Sequence, residues 1–236
     1  MYRKDIIQQI RLICEERYGK IDVWVHGLGH VKRVVKYCLL VAKKEKIRAK
    51  DVFLVEIAAW LHDIGRVGEE KNIYFNQSNH AEKSYRQARN ILKKYQRFIG
   101  REDVIKILQA VREHSRAILD HKDNVVAKCL QDGDRGSSLN SIGIFSMLDY
   151  RQVIEIENEI KTIVEARAKL DWLFNEIKKR NKEKEAIKYL EDLRGFYYGI
   201  RGSEGNWQVS QLHFDTSRKL FRGGVLEIEE FINKLS

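Results

Sequence analysis

Hydrophobic positions recur at i, i+3 and i+4 along nearly the whole chain, the spacing that lays a stripe down one face of an α-helix. Ile6, Ile7, Ile10, Ile13 and Cys14 predict a first helix over about residues 4–18 with those side chains inward. After a glycine-flanked turn, VHGLGH, the positions Val31, Val34, Val35, Cys38, Leu39 and Ala42 mark a second. The third, VFLVEIAAWLHDIG, is apolar almost all round, which predicts a central buried helix capped by Asp51 and stopped at Gly65. The segment RVGEEKNIYFNQS reads as a loop. Asn79 followed by Glu82 resembles a capping box and opens a fourth helix with Ala81, Tyr85, Ala88 and Leu92 on one face. Val104, Ile107, Leu108 and Val111 mark a fifth helix, and Val125, Val126, Cys129 and Leu130 a sixth that runs into QDGDRGSSLNSIGIF.

After about residue 145 the texture changes. Residues 150–181 read as one long, charge-laced helical stretch with Ile156, Ile160, Ile163, Leu170, Leu173 and Ile177 on its apolar face. A polar break, KKRNKEKEA, precedes another helix to about Tyr198. A loop punctuated by Gly195, Gly199, Gly202 and Gly205 follows, with WQVSQL as a short extended piece and a last helix over about 225–235. No proline occurs, which favours long helices. The fold class expected is all-α. Two parts are expected: residues 1–145 as a helical core, and 146–236 as a helical C-terminal extension that packs on the core or forms an oligomer face.

Composition narrows the functional classes. No apolar run approaches the ~18–20 residues of a membrane span. The N-terminal segment alternates apolar and charged residues rather than forming a signal-peptide core, so a cytoplasmic location and no membrane partner are expected. Cys14, Cys38 and Cys129 lie far apart with no CxxC pair, which argues against a disulfide framework or a thiolate zinc site. Cys38 and Cys129 read as small buried hydrophobes. The net charge is +10, and it is unevenly placed: residues 1–144 hold 28 Lys/Arg against 18 Asp/Glu, and residues 145–236 hold 16 of each. A positive field over the first part suits an anionic substrate.

That same part holds most of the histidines, at positions 26, 30, 62, 80, 114 and 121, with His213 far behind. His30 opens the second predicted helix, His62-Asp63 close the third, His80 lies in the first turn of the fourth and His114 closes the fifth. Asp134 follows the sixth. Helix ends in a bundle converge at the rim of the core, where imidazoles and carboxylates can meet around one point. Such a nitrogen and oxygen donor set suits divalent Mn, Fe, Co, Ni, Mg or Zn. His62-Asp63 directly after AAWL is expensive to bury unless it is paired or coordinates a metal.

Three segments then combine. HVKRV at 30–34, HDIGR at 62–66 and DGDRGSSLNSIGI at 132–144 together resemble the HD-domain phosphohydrolase superfamily, in particular its small stand-alone hydrolases, over about residues 20–145. The resemblance implies an HD-domain helical bundle with metal ligands His30, His62, Asp63 and Asp134. Asp134 is preferred to Asp132 because it directly precedes the arginine of the DR pair. NHAEKSYRQA and EHS are similar to two further family segments, which adds His80 and His114 as holders of a second ion or of the substrate phosphate. Asp63 is then both ligand and catalytic group. Arg33, Arg66, Arg112 and Arg135 neighbour the motifs and are candidate substrate-binding residues, as is His26, for which a structural role stands equally; His121 and His213 read as surface residues. Ser137 stands where many relatives have aspartate, Gly133 replaces alanine and Gly136 replaces leucine. The HHE…GYP and HDxxED signatures of the cyclic-di-nucleotide and alarmone branches are absent. The implied function is hydrolysis of a nucleotide or other small phosphate ester or anhydride through a metal-activated water. One alternative is an HD-type di-iron oxygenase on the same ligands. Another is a basic nucleic-acid-binding module, which ranks below both because it gives no reason for the buried His-Asp pair and lacks a clear stacking platform.

Overall fold

The apolar stripes close into helices wherever they can be buried. The computed structural model describes residues 2–20, 24–67, 79–116, 119–199 and 211–236, and among these it contains twelve α-helices and no strand. The all-α expectation therefore holds. The chain divides into two units, Met1–Asp134 and Arg135–Ser236.

The first unit contains α1 (Arg3–Tyr18), a 3-10 turn (Trp24–His26), α2 (Leu28–Lys44), α3 (Ala49–Leu61) and a second 3-10 turn (Ile64–Arg66). These are followed by α4 (His80–Leu92), α5 (Gln96–Ile99), α6 (Arg101–Glu113) and most of α7 (Val125–Ser138). α3 is the axis of this unit. Leu54, Val55, Ile57, Ala58, Ala59 and Leu61 are wholly buried, and α3 packs against α1, α2 and α6. Each Leu, Ile or Val so buried contributes about 1.5–3 kcal/mol relative to exposure. Glycines admit close approaches between elements. A Cβ on Gly65 would lie 2.3 Å from the Ser84 backbone nitrogen, so the turn after α3 presses directly on α4, where Gly65 N–H donates to Ser84 Oγ at 3.0 Å. A Cβ on Gly133 would lie 2.3 Å from Cys38 Sγ, and this is how α7 seats on α2.

Several boundaries differ from the sequence reading. α3 begins at Ala49, so Asp51 sits inside its first turn and pairs with Arg48 at 2.8 Å instead of capping. α3 stops at Leu61 with His62 as its C-cap, and Asp63 lies in the following turn. Asn79 precedes α4 but makes no side-chain cap bond; Glu82 is drawn instead to Arg112, at 3.0 Å, and Arg86, at 3.2 Å. α7 runs on to Ser138, which puts Asp134 within the helix rather than after it. Most of the loop read after α3 falls outside the described residues.

The second unit contains the end of α7 with α8 (Ser141–Tyr150), α9 (Ile163–Ala168), α10 (Leu170–Lys179), α11 (Glu183–Tyr198) and α12 (Asp215–Leu235). The single helix read over 150–181 is broken. Gln152 takes a left-handed φ of 55°, and Val153 N–H turns back to the Leu148 carbonyl at 2.9 Å. The chain stays irregular until Thr162, whose Oγ1 accepts from Glu165 N–H at 3.1 Å and starts α9. Ile154, Ile156 and Ile160 are buried along that irregular run, so their spacing reflects burial without helix. The last helix begins ten residues earlier than read. Gly224 lies inside it because a Cβ there would meet the Leu139 carbonyl oxygen at 1.9 Å. Gly195 likewise sits within α11, and most of WQVSQL falls outside the described residues. Among the described residues, no helix is long and apolar enough to cross a membrane.

Candidate metal centre

Six ionisable side chains of the first unit meet where its helices end. α2 brings His30 in its first turn, the end of α3 brings His62 and Asp63, α4 opens with His80, α6 ends on His114, and α7 contributes Asp134. His30, His62, Asp63 and His114 are buried, and His80 and Asp134 are partly so.

Backbone carbonyls set the imidazole tautomers. His62 Nδ1–H donates to the Ala59 carbonyl at 2.8 Å and His114 Nδ1–H to the Val111 carbonyl at 2.7 Å, because a carbonyl can only accept. In the neutral imidazoles both Nε2 atoms therefore bear the lone pair, and both face inward. His62 Nε2 lies 3.4 Å from His30 Nε2, and His114 Nε2 lies 3.2 Å from His80 Nε2. Asp134 Oδ1 is 3.4 Å from His30 Nε2 and 3.8 Å from His62 Nε2. Asp63 faces both pairs. Its Oδ2 is 3.9 Å from His30 and 3.8 Å from His62, and its Oδ1 is 3.3 Å from His114 and 3.8 Å from His80.

The donors fall into overlapping triads. His30, His62 and Asp134 form one, Asp63, His80 and His114 another, and His26, His30 and Asp63 a third. Within each, the ligand atoms lie within 4.8 Å of one another. Ligands about 2.1 Å from a divalent ion are spaced at roughly 3.0–3.5 Å, close to the separations found. These residues fit a divalent cation of the kind that takes imidazole and carboxylate.

The local charges act together. Burial pushes the Asp63 carboxyl up, but Arg66, His62, His114 and His26 outweigh it and hold Asp63 well below the usual carboxylate range. Asp134 is likewise opposed by burial and lowered overall, chiefly by His30. Burial lowers His62 and, with the Arg66 charge, pushes His26 down to about 3. At His114 burial also works downward, but the adjacent Asp63 carboxylate raises it above the ordinary histidine value.

The remaining sequence candidates separate. Arg66 is buried, with Nε 3.0 Å from Asp63 Oδ2, and His26 Nδ1 approaches the same oxygen at 3.2 Å. Arg112 pairs with Glu82 and lies over the Tyr85 ring at 5.3 Å. Arg33 is half-buried on α2. Arg135, in the second unit, is buried and donates to the Gln211 carbonyl. His121 is exposed, as read, yet its Nδ1 pairs with the buried Glu113; His213 is half-buried. Sequence reasoning missed Glu113 and Gln131. Gln131 Nε2 donates to the Glu113 carbonyl at 2.7 Å and the Arg116 carbonyl at 2.9 Å, tying down the end of α6 that carries His114. An acid directly before the EHS histidine was the available signal.

Residues 27–139 match the family model of the HD domain. Over that segment the chain is similar to the HD domain. The matched segment holds all six converging residues from His30 to Asp134, and His26 lies one position before it. No curated protein matches the chain. Among solved structures, Bacillus subtilis YpgQ in complex with ADP is similar at 18% identity, with 100% of this chain and 95% of that one covered and a TM-score of 0.55. A second YpgQ structure, of the selenomethionine protein, gives 18% identity over 99% and 96%, at 0.53. A predicted HD superfamily hydrolase from an uncultured Thermotogales bacterium is 23% identical, over 75% of this chain and 91% of its own, with a TM-score of 0.48. At such identities the likeness to YpgQ is one of fold.

Proposed function

We propose that the chain is a divalent-metal-dependent phosphohydrolase that cleaves a nucleotide or another small phosphate ester or anhydride by attack of water. The observation that carries this reading is Asp63, whose Oδ2 faces His30 and His62 while its Oδ1 faces His114 and His80. His30, His62, Asp63 and Asp134 hold the ion. His80 and His114 either hold a second ion with Asp63 or bind the substrate phosphate. A bound divalent ion supplies positive charge to the phosphate oxygens and acidifies the attacking water. Asp63 would accept the water's proton at Oδ1, with Arg66 Nε 3.0 Å and His26 Nδ1 3.2 Å from its Oδ2. The excess of basic residues in this part of the chain draws in an anionic substrate. YpgQ, whose fold the chain shares, was crystallised with ADP, which supports a nucleotide as the ligand class.

The test is phosphate or pyrophosphate release from nucleoside mono-, di- and triphosphates with Mn²⁺, for the native protein beside Asp63→Ala. Release is expected to fall by about 1,000-fold or more in the variant, with helix content unchanged by circular dichroism. Undiminished turnover in Asp63→Ala would sink the assignment. If no substrate is cleaved and the purified protein contains iron and consumes dioxygen, the oxygenase reading replaces it.

A further inference from the structure

From Lys83 to Arg101 the sequence holds seven Lys or Arg residues and not one Asp or Glu in nineteen positions. This run covers the rest of α4, all of α5 and the first residue of α6. Arg89, Lys93, Lys94, Arg97 and Arg101 are exposed, and none forms an ion pair with a described residue. Elsewhere in the unit exposed cations do find carboxylates, as in Arg11 with Glu15 at 3.1 Å, Lys32 with Glu15 at 3.2 Å and Lys50 with Asp103 at 2.9 Å. Lys93, Lys94, Arg97 and Arg101, with Gln96 and Gly100, line an open concavity of about 700 Å³.

Two features refine this field. Gly100, at a φ of 98°, turns the chain into α6, whose first amides add the positive end of a thirteen-residue helix. Of the two acids in that first turn, Asp103 is occupied by Lys50, leaving Glu102 as the local counter-charge. Phe98 is 39% exposed, and the Arg97 guanidinium lies 4.6 Å from its ring centroid. A cationic groove beside an accessible aromatic ring is the arrangement that follows a phosphate backbone and stacks a base. A membrane surface would require a broad apolar face, and only Phe98 and Ile105 are exposed large hydrophobics on these elements. The thirteen residues from His80 to Lys93 correspond to about 20 Å of helix, so one nucleotide held at the metal residues does not reach the groove.

We propose that this groove binds the sugar-phosphate backbone of single-stranded nucleic acid. The site is separate from the metal centre, and its test does not depend on catalysis. A fluorescein-labelled oligo(U) or oligo(dT) of ~20 nucleotides is titrated with the full chain in EDTA, following anisotropy across salt concentrations. Log affinity is expected to fall linearly with log salt. Lys93→Glu/Lys94→Glu/Arg97→Glu should weaken binding at least about tenfold near 0.15 M salt and make the slope shallower by about 2. A control with the same change in net charge, Lys4→Glu/Lys43→Glu/Lys44→Glu, should lose no more than about threefold. Equal losses in the two variants would overturn the proposal in favour of the general field of the chain. Binding to phosphatidylserine vesicles without binding to either oligonucleotide would overturn it in favour of a membrane surface. Independently of how the variants fold, bound oligonucleotide should protect Lys93 and Lys94 of the native protein from acetylation while Lys43 and Lys44 react. Full reaction at Lys93 and Lys94 in the complex would also overturn it.

Discussion

Asp63 has two oxygens with different neighbours, and the difference organises the centre. Oδ1 faces His114 at 3.3 Å and His80 at 3.8 Å, whereas Oδ2 has Arg66 Nε at 3.0 Å and His26 Nδ1 at 3.2 Å. A carboxylate gripped on one oxygen presents the other in a fixed direction, and outer partners of this kind typically carry about 10–100-fold in metal affinity. His26→Ala should therefore weaken Mn²⁺ binding, measured by calorimetry, by roughly that factor, with His26→Asn recovering part of it through a shorter donor. Unchanged affinity in His26→Ala would mean that Arg66 alone suffices. The sequence pointed to this cluster because a His-Asp pair next to AAWL has few reasons to be buried. It left His26 and Arg66 ambiguous, because both lie beside motifs and only their distance to one carboxylate oxygen separates clamping from substrate binding. Glu113 and Gln131 were hidden for a related reason. They act through backbone carbonyls and a neighbour, and spacing along the chain encodes neither.

At the scale of elements, the centre depends on how closely the turn after α3 is pressed to α4. Gly65 permits that contact, since a Cβ there would fall 2.3 Å from Ser84 N and 2.7 Å from the Lys83 carbonyl carbon. Both atoms are backbone, so the strain of a larger residue cannot be relieved by rotating a side chain. Gly65→Ala should cost about 1–3 kcal/mol and move the turn bearing Asp63 away from α4, which carries His80. The expected signature is a lower thermal midpoint together with weaker metal binding; a variant with native values of both would show that the turn can shift freely. Gly65 was read from the sequence as a helix stop, and its packing role was invisible because it depends on an element about twenty residues away. The same limit explains the misreading of 150–181. Periodic isoleucines signal burial, and burial there is reached by an irregular chain fixed by Gln152 and Thr162. Thr162 followed three residues later by Glu165 is a capping signal that the apolar pattern masked. The last helix was read from about 225, whereas it begins at Asp215 and passes through Gly224, where a Cβ would lie 1.9 Å from the Leu139 carbonyl oxygen.

For the whole molecule, the uneven charge and the uneven placement of histidines coincide: one part of the chain holds both the ionisable cluster and the excess of cations. That much could be read before any coordinates, as could the all-α class, since both follow from composition and period alone. On the proposed reading, the cluster also ties this part's stability to a bound ion. His62, Asp63 and His114 are buried polar groups, and their desolvation is offset only in part by one another. An ion that binds the folded chain and not the unfolded one stabilises by RT ln(1 + [L]/Kd), about 4 kcal/mol at a thousandfold excess over Kd. For a unit of this size that is a rise of roughly 8–16 °C in midpoint. EDTA should thus lower the melting temperature, and Mn²⁺ added back should restore it. Because the ligands all belong to Met1–Asp134, any separate transition of Arg135–Ser236 should stay where it is. The same titration on His62→Ala should show no Mn²⁺ response. If that variant still gained stability from Mn²⁺ as the native chain does, the ion would be binding elsewhere, and the converging Nε2 atoms of His30, His62, His80 and His114 would need another explanation.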